Sequence, residues 1–184
     1  KMMYRQWFEN RAHLARKYAE ITHAQVVIDA SKDPVDLQDF LSLTDLPIKI
    51  LFITRNVKGV AASTARRTNL SPVSEAHDWV RVNTRIIRAL EKYDTNDWIQ
   101  VKYEDLCADP NGTLNRIADF AEVETDFSGL SLDSTSRHTI AGNGLRFKEI
   151  NEVRPIDNDH QILEEHEIMK IEQISNRCSK KLGY

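Results

Sequence analysis

Apolar positions first appear at helical spacing. Met3, Trp7, Leu14, Tyr18 and Ile21 stand three, four or seven residues apart, which predicts an amphipathic helix with these side chains on its apolar face. Gln25-Val26-Val27-Ile28 then reads as a short buried strand, ended by the polar run Asp29-Ala30-Ser31-Lys32. Asp33-Pro34 predicts a helix start, because an aspartate accepts from free backbone N–H groups and proline suits the first helical position. Pro47-Ile48-Lys49-Ile50-Leu51-Phe52-Ile53-Thr54 is the strongest strand, nearly continuous in apolar residues, as expected of a parallel strand covered on both faces. A helix over about 57–67 follows it.

Trp79, Val82, Ile86, Ile87 and Leu90 mark one face of a longer helix, and Trp98-Ile99-Gln100-Val101-Lys102-Tyr103 alternates like a third strand. Asp109-Pro110 opens a helix that turns Leu114, Ile117, Ala118 and Ala121 inward. Residues 128–156 are polar, glycine-bearing and aperiodic, a length that points to a functional loop. A final helix from about Asp159 buries Ile171, Ile174, Cys178 and Leu182. Strands alternating with helices define an α/β chain with a parallel sheet.

In such sheets ligands bind beyond the carboxyl ends of the strands. Those ends are Asp29-Ala30-Ser31-Lys32, Thr54-Arg55-Asn56 and Tyr103-Glu104-Asp105. Arg55 falls between a strand end and a helix N-terminus, where a guanidinium fork and free N–H groups together suit a phosphate. Ser63 follows eight residues later, about two helical turns on, which keeps its hydroxyl on the Arg55 side.

Composition narrows the class. The 184 residues suit one compact domain, and 41% hydrophobic with 29% charged residues supports a packed core. A net charge of −3 argues against a general nucleic-acid binder. The longest apolar run is Ile50-Leu51-Phe52-Ile53, far short of the ~20 residues of a membrane helix. Cys107 and Cys178 are too few for a disulfide framework or a cysteine-rich zinc site. No N-terminal stretch resembles a signal peptide, which points to the cytoplasm. Arg81, Arg85, Arg88 and Lys92 form a basic stripe that reads as the solvated face of its helix.

Four segments occur in a familiar order: Asp29-Ala30-Ser31-Lys32-Asp33-Pro34, Arg55-Asn56-Val57-Lys58-Gly59-Val60-Ala61-Ala62-Ser63, Lys102-Tyr103-Glu104-Asp105-Leu106 with Asp109-Pro110, and His138-Thr139-Ile140-Ala141-Gly142-Asn143-Gly144-Leu145-Arg146-Phe147. Over roughly residues 25–148 the chain resembles the sulfotransferases that use 3′-phosphoadenosine 5′-phosphosulfate (PAPS). The resemblance implies a P-loop-NTPase-like three-layer α/β fold with a central parallel sheet flanked by helices. It also implies transfer of a sulfuryl group from PAPS to a hydroxyl or amine of a small-molecule, lipid or glycan acceptor. Adenosine 3′,5′-bisphosphate is then the product, no metal is needed, and neither nucleic acid nor a transmembrane segment is involved.

By the same resemblance Arg55 and Ser63 hold the 3′-phosphate, Tyr103 contacts adenine, and Lys32 approaches the transferred sulfuryl group. Gly142, Asn143 and Arg146 belong to the loop that closes over the nucleotide. His138 heads that loop and is the candidate general base, since imidazole titrates near neutrality. Val57 stands where the family often has proline, and Gly59 where it has an acidic residue. No segment resembles the family's N-terminal strand and Ser/Thr-Gly loop for the 5′-phosphosulfate. The expectation is therefore a single domain, residues 1–184, lacking that strand and loop. The alternative is a catalytically silent nucleotide-binding or protein-interaction module derived from the same fold.

Overall fold

Three helices and one strand meet on a single apolar seam, and that seam orders the architecture. The computed structural model describes residues 2–30, 34–68, 70–125, 127 and 163–184. Helices α1 (Met2–Thr22) and α2 (Pro34–Leu43) precede strand β1 (Ile50–Thr54), which runs into α3 (Val57–Thr68) and α4 (Pro72–Leu90). Strand β2 (Trp98–Lys102) leads to α5 (Tyr103–Ala108), α6 (Pro110–Ala121) and finally α7 (Glu165–Lys181). The two strands pair in parallel, Ile50 opposite Trp98 and Thr54 opposite Lys102. Parallel partners need a crossover connection, and α3 with α4 supplies it. The fold class is α/β, with a parallel sheet flanked by helices.

On one face of the sheet Ile50 and Phe52 pack with Val57, Ala61 and Ala62 of α3, Ala76 and Trp79 of α4, Ile171 and Cys178 of α7, and Leu182. The paired alanines of α3 carry only a methyl each, so the neighbouring helix approaches closely. Val101 alternates to the opposite face of β2, where it is fully buried, and α6 contacts the same strand. Helix α6 begins as expected at Asp109-Pro110, and the Asp109 carboxylate accepts the Gly112 N–H at 2.9 Å. Glu164 and Glu167 form a reciprocal capping box at the start of α7. The other end of α7 closes in a Schellman turn: the Gly183 N–H reaches Lys180 O at 3.2 Å and the Tyr184 N–H reaches Ser179 O at 2.9 Å. Gly183 takes the left-handed conformation this turn requires, with φ of 75°.

Several sequence expectations change. Residues 25–28 form no strand; Val26, Val27 and Ile28 are exposed and have no ladder partner among the described residues. An apolar run becomes a strand only where a neighbouring strand accepts its backbone bonds, and the only strand paired with β1 among those residues is β2. The strand predicted over 47–54 begins at Ile50, and only one of its faces is covered. Leu51 and Ile53 stay 40% and 54% exposed because no described helix lies over them.

Helix α1 also turns a different face inward. Phe8 and Ala12 are buried, whereas Trp7, Leu14, Tyr18 and Ile21 are exposed. The cause is α2: Phe40 packs against Phe8, and the Arg11 guanidinium sits 5.1 Å from both the Trp7 and Phe40 rings while it pairs with Asp29. Val82 likewise lies exposed on α4, off the buried stripe through Ala76, Trp79 and Asn83. Arg81, Arg85 and Arg88 are exposed, Arg81 being bonded to Asp78. Among the described residues no helix is long and apolar enough to cross a membrane.

Ile171 is 0% exposed at the centre of the seam, whereas Ile21 is 76% exposed. Ile171→Ala should therefore lower unfolding free energy by about 2–5 kcal/mol. Ile21→Ala should change it by no more than about 0.5 kcal/mol. Urea titration of both variants checks the assignment; similar losses would refute the inward face given to α1.

Candidate functional site

The carboxyl end of β1 gives way to α3 through Arg55 and Asn56. Asn56 acts as the cap of α3: its side-chain oxygen accepts the Lys58 N–H at 2.9 Å, and its carbonyl accepts the Val60 N–H at 3.1 Å. The single peptide unit joining Arg55 to Asn56 is held from both sides. Its carbonyl accepts the Trp79 indole N–H at 3.1 Å, and its N–H donates to Glu104 Oε1 at 2.8 Å. The core aromatic of α4 and the first turn after β2 thus fix one plane of backbone between them.

The Arg55 side chain folds back over the first turn of α3, and its guanidinium carbon lies 4.7 Å from the centre of the Tyr103 ring. That is cation–π contact between residues from the ends of two neighbouring strands. Gly59 makes room for it: a Cβ at that position would stand 3.0 Å from Arg55 Nε and 3.3 Å from Nη2. The glycine found where an acidic residue was the family habit is here a matter of clearance for the guanidinium. Ser63 stands one helical turn beyond Gly59 on the same row of α3 and is half-buried. Of the residues singled out from the sequence, Arg55 and Tyr103 are brought into contact, and Ser63 lies along the same helix row. Lys32, His138, Gly142, Asn143 and Arg146 lie outside the described residues.

A second layer of polar groups backs this turn, and sequence reasoning did not single it out. Tyr184 returns from the end of α7 to the strand ends, where its hydroxyl donates to Glu104 Oε2 at 3.0 Å and lies 3.2 Å from Thr54 Oγ1. A phenol has one proton, so the Thr54 hydroxyl donates to the phenolic oxygen in return. Thr54 accepts from Gln100 Nε2 at 3.2 Å, and the same amide donates to Leu182 O at 2.9 Å. Lys102 Nζ donates to Gly183 O at 2.5 Å and sits 4.9 Å from the centre of the Tyr184 ring. The only local signal for this layer was the Lys-Lys-Leu-Gly ending of the last helix, which marks a helix stop. That Tyr184 meets residues 80 and 130 positions earlier is a tertiary fact.

Burial pushes the Tyr184 phenol above its ordinary value; the Thr54 hydroxyl opposes this, and the charge and hydrogen bond of Glu104 add to it. An open cleft of about 560 Å³ lies beside this layer, between the first turn of α3 and the face of α7 that carries Ser175, Asn176 and Ser179. Lys58 bridges one wall to the other through Glu172 at 3.0 Å.

These features define an α/β protein of the parallel-sheet type whose polar chemistry is gathered at the carboxyl ends of its strands, around one arginine-bearing turn. The Sulfotransferase family matches residues 3–127, more than half of the chain, and the chain belongs to that family. Two solved structures share the fold. The sulfotransferase domain from the Synechococcus PCC 7002 olefin synthase superposes with a TM-score of 0.65 at 22% identity, covering 80% of this chain and 55% of that one. The sulfotransferase domain from the curacin biosynthetic pathway gives a TM-score of 0.52 at 19% identity, covering 80% of this chain and 59% of that one. This chain therefore spans little more than half the length of either. No curated protein sequence matches it.

Two outcomes follow from the geometry. Gly59→Ala should leave the melting temperature unchanged or slightly raised, since alanine is favoured over glycine in a helix by about 0.5–1 kcal/mol. The added methyl should nevertheless displace the guanidinium by a few tenths of an ångström, visible as a shifted Arg55 Nε–H resonance that the Tyr103 ring shields. An unmoved resonance would show that the side chain does not rest on Gly59. The second outcome concerns alkaline pH. The native state holds the Tyr184 proton after the unfolded chain has released it, above about pH 10, so its contribution is complete below that pH and falls as pH rises. Tyr184→Phe should flatten the loss of stability above about pH 10 in denaturant titrations.

Proposed function

We propose that this sulfotransferase-family chain serves sulfuryl transfer from PAPS to a hydroxyl or amine of a small-molecule, lipid or glycan acceptor by supplying the site for the 3′-phosphate and adenine of the donor, activity of the chain by itself not being expected. The observation that carries the reading is the Arg55 guanidinium held over the Tyr103 ring at the strand ends. A fixed cation beside an aromatic ring is what a nucleotide with both a phosphate and a purine base requires. The residues present fit that half of the donor: Arg55 pairs with the 3′-phosphate, Ser63 donates to it from the same row of α3, and Tyr103 lies against adenine. Gly142, Asn143 and Arg146 close over the nucleotide from the later loop.

Bound PAPS supplies an activated sulfuryl group on a phosphate leaving group. In the transfer the bond from sulfur to the phosphate oxygen breaks and a bond from sulfur to the acceptor oxygen or nitrogen forms. The acceptor proton passes to His138 as general base, and Lys32 meets the negative charge that grows on the departing phosphate. Arg55 and Ser63 only hold the nucleotide in line, so they act through positioning.

Adenosine 3′,5′-bisphosphate should bind this chain measurably by calorimetry. Arg55→Ala removes a charge-assisted pair and should weaken binding by about tenfold or more. The variant should also bind with less dependence on salt, having lost one cation at the phosphate. Equal affinity in the two proteins would overturn the placement of the 3′-phosphate at Arg55.

A further inference from the structure

Glu104 is a carboxylate set next to a turn that the sulfotransferase reading gives to an anion. On charge alone it would repel that anion, so its presence asks for another role. Both of its oxygens are engaged: Oε1 accepts the Asn56 N–H at 2.8 Å and Oε2 accepts the Tyr184 O–H at 3.0 Å. A carboxylate with a donor on each oxygen is fixed in rotation, and its charge is partly spent on those donors. The peptide unit it holds is the one that Trp79 holds from the other side at 3.1 Å, and Arg55 is the residue on that unit.

We infer that Glu104 is the positioning residue of the arginine-bearing turn, and that Tyr184 is the group that keeps Glu104 in place. The inference rests on the proposed assignment of Arg55 to the 3′-phosphate and extends it to residues that never touch the nucleotide. Its physical content is a relay from the end of the last helix to the anion site. Gln100 holds Leu182 O and Thr54, Lys102 holds Gly183 O, and Tyr184 then reaches Glu104, which sets the Arg55–Asn56 plane. Two restraints on one peptide plane leave the Cα of Arg55 little freedom, so its guanidinium is presented over Tyr103 before any ligand arrives. Preorganisation of this kind raises affinity by lowering the ordering cost of binding.

Three variants test it in the 184-residue chain. Glu104→Ala removes the acceptor of the Asn56 N–H. Glu104→Gln keeps one carbonyl oxygen for Asn56 and presents an amide N–H to the Tyr184 oxygen. Tyr184→Phe keeps the ring over Lys102 and removes only the proton given to Glu104. The readouts are amide hydrogen exchange at Asn56 and the ratio of affinities for adenosine 3′,5′-bisphosphate and adenosine 5′-monophosphate. Glu104→Ala should speed exchange at Asn56 and cut the affinity ratio by about tenfold. Tyr184→Phe should do both to a smaller extent, about threefold in the ratio, and Glu104→Gln should restore both to near wild type.

A role in stability alone would lower the melting temperature of the variants while leaving the affinity ratio unchanged, and that result overturns the inference. Should Glu104→Ala fail to fold, Tyr184→Phe against Glu104→Gln decides the matter by the same two readouts. Should the wild type show no preference for the 3′-phosphate, the functional assignment of Arg55 falls. Hydrogen exchange then judges the restraint: faster exchange at Asn56 in Tyr184→Phe sustains it, and unchanged exchange refutes it.

Discussion

Where β1 hands over to α3, the peptide unit between Arg55 and Asn56 has a carbonyl and an N–H that neither element can satisfy by itself. A backbone group left unpaired in such a half-buried place costs a few kcal/mol at most sites, so its partners are structural necessities. Trp79 supplies one and Glu104 the other. Trp79 is also a central member of the hydrophobic core, and Glu104 opens the segment after β2. The turn therefore ties three things together: the packed seam of α3, α4 and α7, the pairing of the two strands, and the placement of Arg55 at the end of β1.

The energetic weight and the chemical purpose lie in different layers. Burial of Phe52, Trp79 and Ile171 between sheet and helices supplies the driving force for folding. The polar relay through Gln100, Thr54, Tyr184 and Glu104 adds specificity, because each member has its donors and acceptors matched and a shift of any one leaves another unpaired. The network is half-buried, aligned by strands on one side and by a helix terminus on the other, and it lies beside the contact of Arg55 with Tyr103. Membership of the sulfotransferase family gives this arrangement a setting in group transfer.

Apolar surface is distributed less evenly than the chain's composition would lead one to expect. One face of β1 is packed, while Leu51 and Ile53 on the other are exposed, as are Trp7, Leu14, Tyr18 and Ile21 along α1. Amphipathic spacing reports that a helix has an apolar face; it does not report that a neighbour is there to cover it. Phe8 and Ala12 won the inward position on α1 because Phe40 of α2 lies against them.

The sequence determined those features that depend on neighbours within a few residues. Asp109-Pro110 begins α6, the basic ending and Gly183 stop α7, alternation in Trp98–Lys102 makes β2, and Arg55 falls between a strand and a helix. Periodicity also placed Ile171, Cys178 and Leu182 in the core. Tertiary structure decided the rest. Residues 25–28 have strand composition and form no strand, because a strand exists through its partner's backbone and none is presented to them among the described residues. The contact of Arg55 with Tyr103 joins residues 48 positions apart, and that of Tyr184 with Thr54 spans 130. Such pairs are set by how the crossover and the last helix pack on the sheet, a global minimum of buried area and satisfied polar groups that no local pattern encodes.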